Sequence, residues 1–199
     1  MFPNCGDVYS YFRFVISGFL VQVQAGKFFN RNLNTIIYNN GGMIMPKIIL
    51  TRGIQGSGKS TWAKKWVEED PTHRVRWNND DFRRMMGPYW IPEREELIHR
   101  IMKDAIDNAM LFGYDIVIDN MNLNPKHWNY IQSRIHDFNH DCHIVSSEKQ
   151  YTLEFKDFFD ISLEECIERD SKRENPIGEK VITETYNKHK DTIEKLKRS

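Results

Sequence analysis

Little in the composition of this chain points outward. Among its 199 residues, 28 Lys and Arg balance 28 Asp and Glu. With no net charge there is no whole-molecule field to draw in nucleic acid, and any such partner has to be held by local basic clusters. Cysteine is scarce. Cys5, Cys142 and Cys166 are three in number and lack C-x-x-C spacing, which argues against a disulfide framework or a zinc knuckle and makes a reduced, cytoplasmic setting the expectation. No apolar run is long enough to span a bilayer, so no membrane partner is expected. Internal repeats and low-complexity tracts are also missing. The length suits one ordinary domain better than two.

Acidic residues are nearly absent from the first 44 positions, which hold Asp7 alone beside Arg13, Lys27 and Arg31 and are rich in Phe, Tyr, Asn and Gly. Three of the 28 basic and one of the 28 acidic residues fall there, so the remainder carries a net −2. Phe14–Val21 with Val23-Gln24-Ala25 resembles a secretory core and cleavage site, but the basic n-region is missing. An added strand or hairpin is a second reading. The third, which we favour, is that translation starts at Met45, or less favourably Met43. Gly41-Gly42 can be encoded as a GGAGG-like ribosome-binding run, and Met45-Pro46-Lys47 leads straight into a strand. Residues 1–44 are thus expected to pack poorly and 45–199 to form the domain.

What is present is concentrated in eight residues. Gly53-Ile54-Gln55-Gly56-Ser57-Gly58-Lys59-Ser60 fit the phosphate-loop pattern G-x-x-x-x-G-K-[ST]. The apolar run Lys47–Thr51 precedes them as a buried parallel strand would. Thr61-Trp62-Ala63-Lys64-Lys65-Trp66-Val67-Glu68 follows with helical spacing. Glycines let successive backbone N–H groups turn toward an anion, and the helix N-terminus adds its dipole. In that setting Lys59 bridges the β- and γ-phosphates of ATP, and Ser60 places its hydroxyl on Mg²⁺.

Strands and helices alternate beyond the loop. Arg74–Asn78 reads as a strand running into Asn79-Asp80-Asp81-Phe82-Arg83-Arg84 at its carboxyl edge, where open α/β sheets bind ligands. Apolar residues at i, i+3 and i+4 predict a helix from Glu93 to Phe112, closed by Gly113. Ile116–Asp119 is a short strand, and Pro125 starts a helix through Phe138. Cys142–Ser147 and Tyr151–Phe159 read as two further strands joined through Glu148-Lys149-Gln150. Ser162 caps a helix over Leu163–Lys172. After an irregular stretch, Glu179–Lys197 closes the chain as a helix. The expected architecture is an α/β P-loop kinase fold, a mainly parallel sheet sandwiched between helices.

Phosphoryl transfer to a hydroxyl needs a phosphate cradle, a metal, a base for the acceptor proton and cations over the γ-phosphate. Asp80 is the candidate base, although one of Asp80 and Asp81 is also expected to cap a helix. Arg83, one turn on, is placed to reach an acceptor phosphate. Asp119 ends its strand as an acid that holds Mg²⁺ does, or as a simple turn or cap Asp. Lys172-Arg173, with Arg169 one turn earlier, sits where a lid arginine does, or is a basic helix end meeting the dipole. Arg74, Arg76, Arg83 and Arg84 together suggest a local cationic patch. His136, His140, Cys142 and His143 look like metal ligands, but they cross a helix–strand junction and no metal site is expected there. Alternating polarity assigns the aromatic run Phe155–Phe159 to sheet core rather than to base stacking.

Thr51–Trp62, Asn78–Arg83, Asp119–Pro125 and Arg169–Arg173 together resemble the kinase domain of phage-type polynucleotide 5′-hydroxyl kinases, in order and rough spacing over nearly all of residues 45–199. The resemblance implies ATP-dependent phosphorylation of the 5′-hydroxyl of a DNA or RNA end, in nucleic acid repair. It implies Gly53, Gln55, Gly56, Ser57, Gly58, Lys59, Ser60, Thr61 and Arg169 on the ATP side, with Ser60 and Asp119 serving Mg²⁺. Asp80 would be the general base, Arg83 would grip the acceptor's 3′-phosphate, Asp119 would be an essential acid, and Arg173 the lid arginine on the transferring phosphate. Asn79 departs from the basic residue of the phage-type pattern. The D-x-D-x-T motif of a following phosphatase domain is not seen, so 3′-end repair is not expected. Competing readings are a P-loop kinase for a sugar, nucleotide sugar or aminoacyl-tRNA, and a non-catalytic ATP-binding switch.

Overall fold

The computed structural model describes residues 11–16, 19–24, 45–140 and 150–198, and the chain divides into two compact units, 1–44 and 45–199. In the first, β1 (Tyr11–Ile16) and β2 (Phe19–Gln24) pair antiparallel, Ile16 opposite Phe19. The two strands form a two-stranded sheet.

The second unit alternates strand and helix: β3 (Lys47–Arg52), α1 (Lys59–Glu68), β4 (Arg74–Trp77), α2 (Asn79–Met85), a 3-10 turn (Pro92–Arg94), α3 (Glu95–Leu111), β5 (Asp115–Ile118), α4 (Pro125–His140), β6 (Thr152–Asp157), α5 (Leu163–Ser171) and α6 (Glu179–Lys197). All pairings in its sheet are parallel, in the order β4-β5-β3-β6. The strand expected over Cys142–Ser147 lies outside the described residues.

Side-chain alternation along β3 and β5 builds the layers. Ile48, Leu50, Ile116 and Ile118 pack with Met102, Ile106 and Met110 of α3 and Ile131 and Ile135 of α4. Ile49 and Val117, on the opposite face, pack with Ala63 and Trp66 of α1. A sheet covered on both faces needs strands with consecutive apolar residues, and Ile48-Ile49-Leu50 of β3 and Ile116-Val117-Ile118 of β5 supply them. The third cluster joins Ile54 and Leu123 to Cys166 of α5 and to Ile182 and Ile193 of α6 at the carboxyl end of the sheet.

Helix ends follow local chemistry. Gly113 takes φ +78°, and its N–H and that of Tyr114 donate to the carbonyls of Met110 and Ala109, the paired closure that a left-handed residue allows after a helix. The Ser162 hydroxyl accepts from the Glu165 N–H at 3.1 Å, a capping interaction of the Ser-x-x-Glu type. One expectation needs correction. Phe155 is 41% exposed and not sheet core, because β6 is covered only at Thr152 and Leu153 while its last four residues face outward. Its ring instead stacks beneath the Arg52 guanidinium, 4.1 Å from the centroid, and meets Trp128 edge-on. Phe159, beyond the strand, is buried in the third cluster.

Candidate active site

The sheet changes direction of winding at β3, which has β5 on one side and β6 on the other. A crevice opens at such a point beyond the carboxyl ends of the strands. The residues leaving β3, β4 and β5 there are Gly53, Asn78 and Asp119, and the Gly53 N–H donates to Met121 O at 3.2 Å, tying the first loop to the third.

The phosphate loop is shaped by two glycines in the left-handed region, Gly56 at φ +80° and Gly58 at φ +97°. Gly56 also lies against α5 so closely that a Cβ would stand 2.2 Å from Cys166 O. Gly58 precedes α1 without a side-chain cap, so the first N–H groups of that helix stay available to an anion. Ser57 is buried and its hydroxyl donates to Ile54 O at 2.9 Å. The Lys59 ammonium, only 8% exposed, donates to the same carbonyl at 2.7 Å and to Ser57 Oγ at 3.4 Å, leaving one of its three donors. Burial pushes its pKa down to about 8, against the attraction of Asp119, while Arg173 lowers and Asp80 raises it. The four residues therefore share one electrostatic neighbourhood. Ser60 and Thr61 are exposed at the start of α1, and Gln55 reaches Thr185 of α6 at 3.5 Å.

Asp119 is almost fully buried. Its Oδ2 accepts from Arg76 Nε at 2.8 Å and lies 2.6 Å from Nη2, while Oδ1 has no hydrogen-bond partner. A buried carboxylate oxygen left without a donor is costly unless a water or cation completes it. Together with the exposed Ser60 hydroxyl across the phosphate loop, it fits a hard divalent cation. Arg76 as the partner of Asp119 had no signal in the sequence, since 43 positions separate them. Asn122, at φ +45°, was read only as part of a turn. Its amide donates to Thr51 O and Ile118 O, both at 2.9 Å, so it knits β3 to β5 below the site.

On the far side of the crevice stands α2. Neither acid caps it; Asn78 does, accepting from the Asp81 N–H at 3.1 Å while its amide donates to Asp119 O. An Asn with extended backbone is a better cap than a residue already in helical conformation, and the Asn-x-x-Asp spacing carried that signal. Asp80 is left free of the cap and 40% exposed. Arg83 donates to it through Nη1 at 2.5 Å and grips Glu95 with Nε and Nη2 at 2.8 and 2.5 Å. Glu95 and Asp80 hold the guanidinium pKa above its ordinary value, against the opposing effect of partial burial. The Tyr89 hydroxyl donates to the same Asp80 oxygen at 2.9 Å. The expected cationic patch does not form. Arg74 pairs with Glu69, Arg76 with Asp81 and Asp119, Arg83 with Asp80 and Glu95, and Arg84 with Asp81.

The two arginines expected to act as a lid lie on α5 (Arg169) and just beyond its end (Arg173). Arg169 lies over the phosphate loop, its Nη1 3.5 Å from where a Cβ on Gly58 would be, and it pairs with Glu165 at 2.5 Å. Arg173 Nη1 is 3.3 Å from Asp170 Oδ1. Asp170 is buried, and its Oδ2 accepts from the N–H groups of Ile177 and Gly178 at 2.8 and 2.9 Å, closing the loop onto α6. Of the histidine group, His136 and His140 stack at 4.0 Å, Cys142 and His143 lie outside the described residues, and no metal-holding cluster of His, Cys, Asp and Glu occurs among the described residues.

The chain is similar to known structures. A chain in the structure of the Pnkp1/Rnl/Hen1 RNA repair complex is 26% identical over 78% of this chain, with a TM-score of 0.58. A second structure of the Pnkp1/Rnl/Hen1 complex matches at 26% identity over 66% of this chain and 41% of its own, with a TM-score of 0.48. The chain spans about half (48%) of the length of the first of these. No helix among the described residues is long and apolar enough to cross a membrane. The parallel sheet, the helices on both its faces and the phosphate loop make this an α/β P-loop kinase-type nucleotide-binding domain. Residues 48–196, well over half of the chain, match the family described as the AAA domain, and the protein belongs to that family.

Proposed function

We propose that residues 45–199 transfer the γ-phosphoryl group of ATP to the 5′-hydroxyl of a DNA or RNA end. The observation that supports this reading is Asp80 at the start of α2, free of the helix cap, 40% exposed and oriented by Arg83 and Tyr89. A nucleotide-binding switch has no use for an acceptor-side carboxylate. The likeness to a chain of an RNA repair complex supports the polynucleotide acceptor.

Each chain residue then has a task. The N–H groups of Gly56 to Ser60 and the Lys59 ammonium hold the donor phosphates. Ser60 and Asp119 would hold Mg²⁺, which neutralises charge on the phosphates during transfer. Asp80 accepts the proton of the acceptor hydroxyl as the new O–P bond forms, and Arg83, clamped by Glu95, keeps that carboxylate in place. Arg83 retains two free N–H donors for the acceptor's 3′-phosphate. Arg169 on α5 and Arg173 just after it would act as the lid over the donor.

The full ion pairing of the four arginines favours a second reading, a kinase for a small hydroxyl substrate. Radiolabelled ATP offered with 5′-hydroxyl oligonucleotides separates the two. Label is expected on the oligonucleotide end, and Asp80→Asn is expected to lower kcat by about 10²- to 10⁴-fold, the usual worth of a general base. ATP binding without transfer to the oligonucleotide defeats the polynucleotide reading, and a near wild-type rate in Asp80→Asn removes Asp80 as base.

A further inference from the structure

Next to Asp80 two aromatic rings stand in solvent. Tyr89 is 46% and Trp90 60% exposed, on the loop between α2 and the Pro92–Arg94 turn. A ring as large as indole rarely stays this open on a surface that only solvent meets.

The rings are held in place. Arg94 ties both ends of the loop, donating through Nη1 to Met86 O at 2.7 Å and through its backbone N–H to Ile91 O at 2.9 Å. Gly87, at φ +106°, makes the bend between them. Arg83 lies against both rings, its Cζ 5.5 Å from the Trp90 centroid and 6.0 Å from that of Tyr89. Arg84 adds a second cation 5.6 Å from the Tyr89 ring. The Tyr89 hydroxyl is fixed on Asp80. An aromatic pair backed by guanidinium groups is the platform on which nucleobases stack whatever their sequence, because every base offers a π-face.

We infer that Tyr89 and Trp90 form a stacking subsite for the nucleobase of the acceptor's 5′-terminal nucleotide. The inference rests on the proposed polynucleotide reading. It follows from position: the carboxylate that takes the proton of the 5′-hydroxyl is hydrogen-bonded to Tyr89, so the nucleoside carrying that hydroxyl enters beside the rings. It also supplies what the paired arginines do not. With no free cationic patch on α2, the acceptor end is held by stacking as well as by its phosphate.

The test compares two oligonucleotides, one with a normal 5′-terminal nucleotide and one whose terminal base is removed, in wild type and in Trp90→Ala. In the wild type, loss of the base is expected to raise KM about tenfold or more, the lower part of the range for one stacked base. In Trp90→Ala the normal end is expected to bind as weakly as the abasic end, so that the two KM values converge. A nucleoside 3′-monophosphate is expected to quench tryptophan fluorescence in wild type and not in Trp90→Ala. If wild type phosphorylates oligonucleotides and Trp90→Ala still discriminates the abasic end, the stacking subsite fails while the polynucleotide reading stands. If wild type phosphorylates no oligonucleotide, both fail. A change of molecular mass in Trp90→Ala by light scattering, with discrimination intact, makes the exposed rings a self-association surface and also overturns the inference.

Discussion

The two walls of the crevice, the phosphate-loop wall and the α2 wall proposed to receive the acceptor, are built on opposite principles. The donor wall is backbone. Its cradle consists of glycine-permitted turns and the open end of α1, and its key side chains, Ser57, Lys59 and Asp119, are buried. The acceptor wall is side chain. Helix α2 buries none of its residues, and Asp80 is held by Arg83, Tyr89 and, through Arg83, Glu95. A buried backbone cradle is rigid and little screened by salt, whereas a partly buried network of side-chain ion pairs is more readily retuned by substitution. One donor can be served by a fixed site while acceptor chemistry varies on the other side.

The contrast can be broken most forcefully at Asp119. Asp119→Ala removes the buried partner of Arg76, leaving that guanidinium only the more exposed Asp81, and is expected to cost up to about 3–5 kcal/mol of stability besides activity. Denaturant unfolding measures it, and a loss below about 1 kcal/mol means that the pair is not buried as described.

Lys59 sharpens the contrast in the other direction. Its native pKa of about 8 lies below the 10.5 of a free lysine, so between those values the native state holds fewer protons than the unfolded one. Stability therefore rises with pH across that window, and the full cost of the buried charge remains below pH 8. Lys59→Met removes that cost and is expected to stabilise the fold by about 1–3 kcal/mol while abolishing nucleotide binding. Thermal melts at pH 7 and 10 check both: wild type gains on the mutant as pH rises. In the same range ATP affinity falls as the ammonium discharges.

The smallest effect is expected at the acceptor surface. Arg84 is 63% exposed, and its ion pair is with Asp81 on its own helix. Arg84→Ala should change stability by less than about 0.5 kcal/mol, and raise the acceptor KM by no more than about fivefold through loss of its contact with the Tyr89 ring. A large rise in KM at low salt that vanishes at high salt restores the cationic patch that the pairing argues against.

Much of the donor wall is legible in the chain itself. The glycine pattern, the β-branched strand before it and the helix after it are contiguous, and each acts through its own backbone. Gly113, Ser162 and Pro125 mark their helix ends for the same reason. On the acceptor side the sequence exposes the residues but not their partners. Asp80 and Asp81 competed for a capping role that Asn78 holds, and four arginines looked free that are all paired. Phe155 satisfied the alternation of a core strand yet lies at the strand's exposed end, where Trp128 of α4 and Arg52 meet its ring.

The sequence by itself determined the class of fold and the phosphate cradle, because both depend on spacing within a few residues. Tertiary structure alone decided which acid faces which base. The pairings of Arg76 with Asp119, and of Arg83 with Glu95, join different elements. Only the parallel order of the sheet and the packing of α2 against α3 bring those charges within the few ångströms over which they interact.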